Sequence, residues 1–344
     1  MIRTVLAGMM AVMLMALAAP AMAASFDCAA ASTPFEHTIC DNPDLSRADE
    51  VLAKSFATAI GGLTKEATAT MRADQRAWLD FAGRACTDDA QPLKQGTFTT
   101  DQVDCLTRIF ENRSRRLADS RMIGGHRFYL HSTFSVMPDP QAASDPNSSW
   151  KVATHEVTTP LLDSDDPLAE AFNAFVEKQA AELASGSGDE ETSDGTNDTE
   201  LRLSVHQAVS NRISLELYSY QYGHGAAHGN WAITYVHYLT DENRVVEARD
   251  VFAADGWQQK LQQLTVEELR SNLGEWLMLD DEKYIADIVI DPARWDFESD
   301  YGLTIQFNPY EVSPYAYGAP TIMIAWEKLE DLLAENADLI RYAY

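Results

Sequence analysis

Basic residues are what this sequence most lacks. Its 344 residues hold 26 Lys and Arg against 53 Asp and Glu, a formal net charge of −27. A field of that sign repels nucleic acid and anionic lipid, which sets both aside as partners, and it attracts a basic protein. Cysteine is scarce as well. Cys28, Cys40, Cys86 and Cys105 all fall in the first third, and no two form a C-x2-C pair. That spacing argues against a thiolate zinc site. Beyond residue 23 there is no long apolar run, so nothing there reads as a membrane span. His-x-Glu, His-Glu-x-x-His and Gly-x-Ser-x-Gly signatures are also missing. The expectation is a protein with no catalytic residues, no cofactor and no metal.

What is present begins with an export pattern. Within residues 1–23, Arg3 precedes an uncharged apolar run, Pro20 breaks it, and Ala21-Met22-Ala23 forms a small-residue cleavage site. The run is shorter than the roughly 20 residues a spanning helix needs. Cleavage after Ala23 would leave a periplasmic or secreted chain. In an oxidising compartment the four cysteines read as disulfides. Four cysteines allow three connectivities. The local pairs Cys28–Cys40 and Cys86–Cys105 are favoured, because each closes a short loop between helical segments.

Residues 24–121 read as a small all-α, disulfide-clamped domain. Thr33-Pro34-Phe35-Glu36 is a capping box with proline at the first helical position. Apolar stripes at helical spacing follow over 45–60, 71–82 and 103–117, with Trp78 read as core. The pattern changes at Gly124-Gly125. Residues 122–344 read as an α+β domain with a mostly antiparallel sheet. Its strands are expected at 127–136, 151–157, 201–209, 213–222, 230–239, 303–307 and 321–325. Helices are expected at 169–183, 252–273 and 326–333, while 284–290 is open between helix and strand. Residues 184–199 are expected to form a mobile acidic loop, in which Asp189, Glu190, Glu191 and Asp194 are further candidate protein-binding residues. Residues 24–122 carry net −3 and residues 123–344 net −25, so the acidity belongs to the second domain.

The most unusual stretch is 221–230, Gln-Tyr-Gly-His-Gly-Ala-Ala-His-Gly-Asn. On a helix, His224 and His228 would share a face and could hold a metal. Gly223, Gly225 and Gly229 instead predict a tight connection between strands, with structural histidines and a candidate protein-binding loop. The acids at Asp280, Asp281, Glu282, Asp287 and Asp291 read as solvated surface, not as a glycosidase pair. Tyr218, Tyr220, Tyr222, Tyr235, Tyr310, Tyr315 and Tyr317 crowd the strand region and are expected mostly at the core or its edge, while a tyrosine-rich acidic rim would suit protein recognition.

Two resemblances sharpen this. Ser25-Phe26-Asp27-Cys28, Thr33-Pro34-Phe35-Glu36, Ile39-Cys40, Asp44-Leu45, Gln75-Arg76-Ala77-Trp78-Leu79, Cys86 and Cys105-Leu106 together resemble the LprI-type family, named for a mycobacterial lysozyme inhibitor. The insert between Cys86 and Cys105 is longer than usual there. The second half resembles the C-terminal domain of RsiV-like proteins through Tyr222 to Gly229, Asp250-Val251-Phe252, Gly302-Leu303-Thr304-Ile305, Pro309-Tyr310-Glu311-Val312 and Tyr317-Gly318. RsiV-type anti-sigma factors bind lysozyme with this domain. The resemblances imply a periplasmic binding protein that recognises, and at a further step inhibits, a lysozyme-like cationic muramidase. The alternative is an envelope or peptidoglycan-associated binding module without inhibitory activity.

Overall fold

The computed structural model describes residues 24–342 apart from 146–147, 187–194 and 210. The export signal read in residues 1–23 lies outside the described residues. The first unit is built from α1 (Pro34–Asp41), α2 (Pro43–Ala59), α3 (Lys65–Ala85) and α4 (Thr100–Leu117). Side-chain caps start α1, α3 and α4, and Pro43 opens α2. Thr33 and Glu36 exchange side-chain and backbone hydrogen bonds at α1, Thr99 and Gln102 do the same at α4, and Thr64 caps α3. Disulfides join Cys28 to Cys40 and Cys86 to Cys105, closing the two local loops. Between the helices, Leu45, Leu52, Met71, Trp78, Leu106 and Phe110 are buried, and Trp78 meets Phe110 edge-on at 4.9 Å. The apolar stripes are narrower than the sequence suggests: Val51 and Leu79 point outward.

Next comes a seven-stranded sheet whose spatial order follows the chain. It comprises β1 (Met122–Ile123), β2 (His126–Pro138), β3 (Val152–Leu162), β4 (Asn197–Val209), β5 (Arg212–Gly223), β6 (Asn230–Leu239) and β7 (Arg244–Val245). A short helix, α5 (Pro140–Ser144), lies between β2 and β3. Neighbouring strands pair antiparallel except β3 and β4, which are parallel. A parallel pair requires a crossover, and α6 (Pro167–Gly186) supplies it. Its Phe172 and Val176 pack with Phe128, Leu203 and Leu215 of the sheet. Gly124, in the β1–β2 turn, has φ +55°, and a Cβ there would lie 2.0 Å from the Ala208 carbonyl oxygen of β4. Only glycine fits that approach.

The remainder forms a third core around a three-stranded antiparallel sheet. Its elements are α7 (Ala248–Val251), α8 (Trp257–Leu273), α9 (Ala286–Ile290), β8 (Trp295–Asp296), β9 (Gly302–Gln306), β10 (Thr321–Ala325) and α10 (Asp338–Arg341). Phe252, Trp295, Phe297, Ile305, Phe307 and Trp326 are buried there. Two of the expected helices differ. Phe252 is extended and pairs with Leu333, so α8 starts only at Trp257. Residues 326–332 form short 3-10 turns in which Trp326 and Leu329, three apart, both enter the core. The ambiguous stretch at 284–290 is helical.

The helical unit does not stand apart from the sheet. Its core continues into Tyr129, Phe134 and Val136 of β2 and Val152 of β3. Arg113 of α4, 4 % exposed, donates to Ser132 Oγ at 3.1 Å and to Gln75 Oε1 at 3.3 Å, over the Phe134 ring. Asp74 of α3 accepts from the Ser132 N–H at 2.9 Å and lies 3.1 Å from His131 Nδ1. Arg127 donates to the Ala59 carbonyl at 2.6 Å, where a cation complements the end of α2.

Candidate functional site

The β5–β6 pairing runs in register to Gln221↔Asn230, so residues 222–229 form the tip of that hairpin. The sequence placed one of its two candidate protein-binding loops here, and the structure sends the two histidines apart. His224 turns inward, its side chain only 1 % exposed. Its Nδ1 is 2.5 Å from Asp139 Oδ2, its Nε2 is 3.4 Å from Asp198 Oδ2, and the Trp150 ring stacks on it at 5.4 Å. Asp139 precedes α5 and is buried. This histidine ties the hairpin tip to the β2–β3 connection and is structural.

His228 turns outward. Its ring stacks on Tyr315 at 3.9 Å, and its Nε2 lies 3.1 Å from the Tyr310 hydroxyl. Tyr315 donates to the Gly229 carbonyl at 2.7 Å, and Tyr222 donates to the Ala226 carbonyl at 3.1 Å. Gly229 is buried, and a Cβ there would lie 2.4 Å from the Tyr220 ring. Gly223 ends β5, and Gly225 has φ +87°. The histidines therefore share no metal site; the glycines let the tip fold tightly against the 308–318 loop.

That loop extends the surface. Tyr310 is half exposed and held at φ +70°, a conformation that costs a bulky residue about 1–3 kcal/mol. Trp276 lies 6.2 Å from Tyr317, and the Met278 N–H bonds the Val312 carbonyl, joining the 274–278 segment to the loop. His228, Tyr310, Tyr315, Tyr317, Trp276 and Met278 thus make one aromatic, sulfur-containing edge. All but Tyr315 are exposed. Asp280, Asp281 and Glu282 follow it directly and are exposed, as are Asp287 and Asp291. Tyr235, by contrast, is buried in β6. The sequence reading missed Trp276, Met278 and Asp139. Trp276 had a signal: it falls just past Gly274, where no stripe continues.

Helix α6 reaches Gly186 and β4 begins at Asn197. The ends of the stretch expected to be a loop are therefore regular structure. Asp189, Glu190, Glu191 and Asp194 lie outside the described residues. A separate open groove of about 510 Å³ crosses the sheet face, lined by Met137, His155, Val157, Leu201 and Trp231 among others. No described helix is long and apolar enough to cross a membrane.

Comparison with known proteins adds two segments. Residues 28–117 match the profile of the lysozyme inhibitor LprI, a span that contains both disulfides. Residues 249–327 match DUF3298, a family described as a protein of unknown function. Neither description names an enzyme. No curated protein matches the chain. Among solved structures, a DUF3298 family member from Bacteroides fragilis aligns at 18 % identity over 63 % of this chain and 96 % of its own, with a TM-score of 0.44. A DUF3298 family protein from Pseudomonas aeruginosa aligns at 15 % identity over 60 % and 95 %, also at 0.44. The chain thus joins a segment similar to the lysozyme inhibitor LprI to one similar to DUF3298, a domain found in RsiV-like proteins.

Proposed function

We propose that the protein is a periplasmic or secreted binding protein, not an enzyme, that recognises a basic lysozyme-like muramidase and inhibits it. The observation that carries this reading is the aromatic edge at the β5–β6 tip, exposed on the unit that holds net −25. Aromatic and methionine side chains anchor protein interfaces, while a surrounding field of opposite sign speeds encounter with a basic partner. The LprI match supports lysozyme as the partner class. Two disulfides suit an oxidising compartment. Nucleic acid does not suit so acidic a surface.

Charge alone would also draw any basic protein, so the test compares lysozyme with cytochrome c across a salt series. Salt shortens the screening length from roughly 30 Å at 0.01 M to about 8 Å at 0.15 M. Lysozyme binding is expected to slow in association but persist at 0.15 M, while cytochrome c binding disappears. Tyr310→Ala with Tyr317→Ala should weaken lysozyme binding about tenfold or more. Equal affinities that vanish together would leave only unspecific attraction and remove the lysozyme reading. Binding without loss of muramidase activity in a lysis assay would favour the non-inhibitory envelope module.

A further inference from the structure

His206, Asp296 and Glu298 come together far from the aromatic edge, at the opposite end of β4. His206 Nε2 lies 3.1 Å from Asp296 Oδ1 and 3.6 Å from Glu298 Oε2, and the three donor atoms all fall within 4.8 Å of one another. The two nitrogen–oxygen separations bracket the about 3.3 Å edge of a tetrahedron with zinc-to-ligand bonds near 2.0–2.1 Å. His206 and Asp296 are mostly buried, whereas Glu298 is two-thirds exposed.

The backbone is shaped for this meeting. The β4–β5 ladder pairs Val205 with Leu215 and Gln207 with Ser214, so His206 is the extra residue of a β-bulge. Bulges re-aim side chains, and this one brings His206 to a strand of the other sheet. Opposite it, the Glu298 N–H bonds Asp296 Oδ1 at 2.8 Å and fixes the carboxylate. The Tyr235 ring lies 5.4 Å from the imidazole and walls one side. Arg202 lies 4.0 Å from Glu216, the other acid near His206. With neutral imidazole the cluster carries two negative charges, which a divalent cation would balance.

We propose that His206, Asp296 and Glu298 bind a zinc-class divalent transition cation that staples β4 of the seven-stranded sheet to β8 of the three-stranded sheet. The imidazole nitrogen selects such a cation over magnesium or calcium, which take oxygen ligands. The half-open Glu298 side leaves a fourth position for water. The proposal does not depend on the partner reading above.

Calorimetric titration of the full mature chain with zinc chloride, and separately with magnesium chloride, tests it. One zinc site is expected, with magnesium at least a hundredfold weaker. His206→Gln and Glu298→Gln should each weaken zinc at least tenfold, and zinc should raise the melting temperature of the parent but not of the variants. Glu298 is exposed enough that its variant should fold normally. A zinc affinity unchanged in Glu298→Gln, or equal for zinc and magnesium in the parent, would assign the binding to scattered surface carboxylates and overturn the proposal.

Discussion

Glu156 and His131 show what single residues do at the joint between helices and sheet. Glu156 of β3 lies near Arg113, Arg116 and Glu200; burial, with Glu200 adding to it, pushes its carboxyl from 4.5 up to about 7. Between those values the native chain keeps a proton that the unfolded chain has released, so stability falls as pH rises through that window. Glu156→Gln should therefore match the parent near pH 4.5 and exceed it at pH 8, by on the order of 3 kcal/mol at most, as read from urea midpoints. His131 behaves with the same sign for a different reason. Its hydrogen bond to Asp74 raises the imidazole above its usual value against the opposing effect of burial. The stabilisation is complete below the unfolded value of 6.5 and is lost as pH climbs through the higher folded one. The stability gap between the parent and His131→Gln should accordingly be wider at pH 5.5 than at pH 8.5. A gap that widens with pH would refute the assignment. Arg113 was legible in the sequence only as a polar member of an apolar stripe. Its partner Ser132 lies on another element, and no local pattern encodes that contact.

At the level of elements, legibility follows the range of the interactions. The Thr33–Glu36 box, the two cysteine pairs and the three strands around the histidines could be read because their signals are local: a cap, a short loop, a two-residue alternation. Thr33→Ala should cost about 1 kcal/mol, measured by thermal or urea unfolding. Replacing Cys86 and Cys105 together by alanine should cost roughly 3 kcal/mol, and the native parent should show no thiol reactive to alkylation. The parallel β3–β4 pair was not legible, since it depends on α6 carrying the chain across the sheet. The same holds for the inward turn of His224, whose partner Asp139 is 85 residues away. Glycines announced the hairpin but could not say which histidine would be buried. The cluster of His206 with Asp296 is more remote still, spanning 90 residues and depending on a bulge.

For the molecule as a whole, we propose residues 24–121 and 122–344 as two structural units docked through a shared core. The helical unit contributes Asp74 and Arg113 to that joint, and the sheet contributes His131, Ser132, Phe134 and Val136. Residues 24–121 produced alone, with both bridges formed, should still be helical by circular dichroism. They should melt at a lower temperature than the same helices in the full chain, because Arg113 and Asp74 lose their partners. An unchanged melting temperature would mean that docking contributes nothing.

The position of the disulfides also permits an order of events during export into an oxidising compartment. Both bridges span short loops, 12 and 19 residues, and both close before residue 106. A chain emerging N-terminus first can therefore complete its oxidation while β2 is still absent. Every later strand then arrives without a thiol, so no strand can be trapped by mispairing with the helices. A bundle whose bridges closed first would present Arg113 and Asp74, the hydrogen-bond partners of β2, along the face that β2 completes. β2 would then meet a surface that already carries its hydrogen-bond partners.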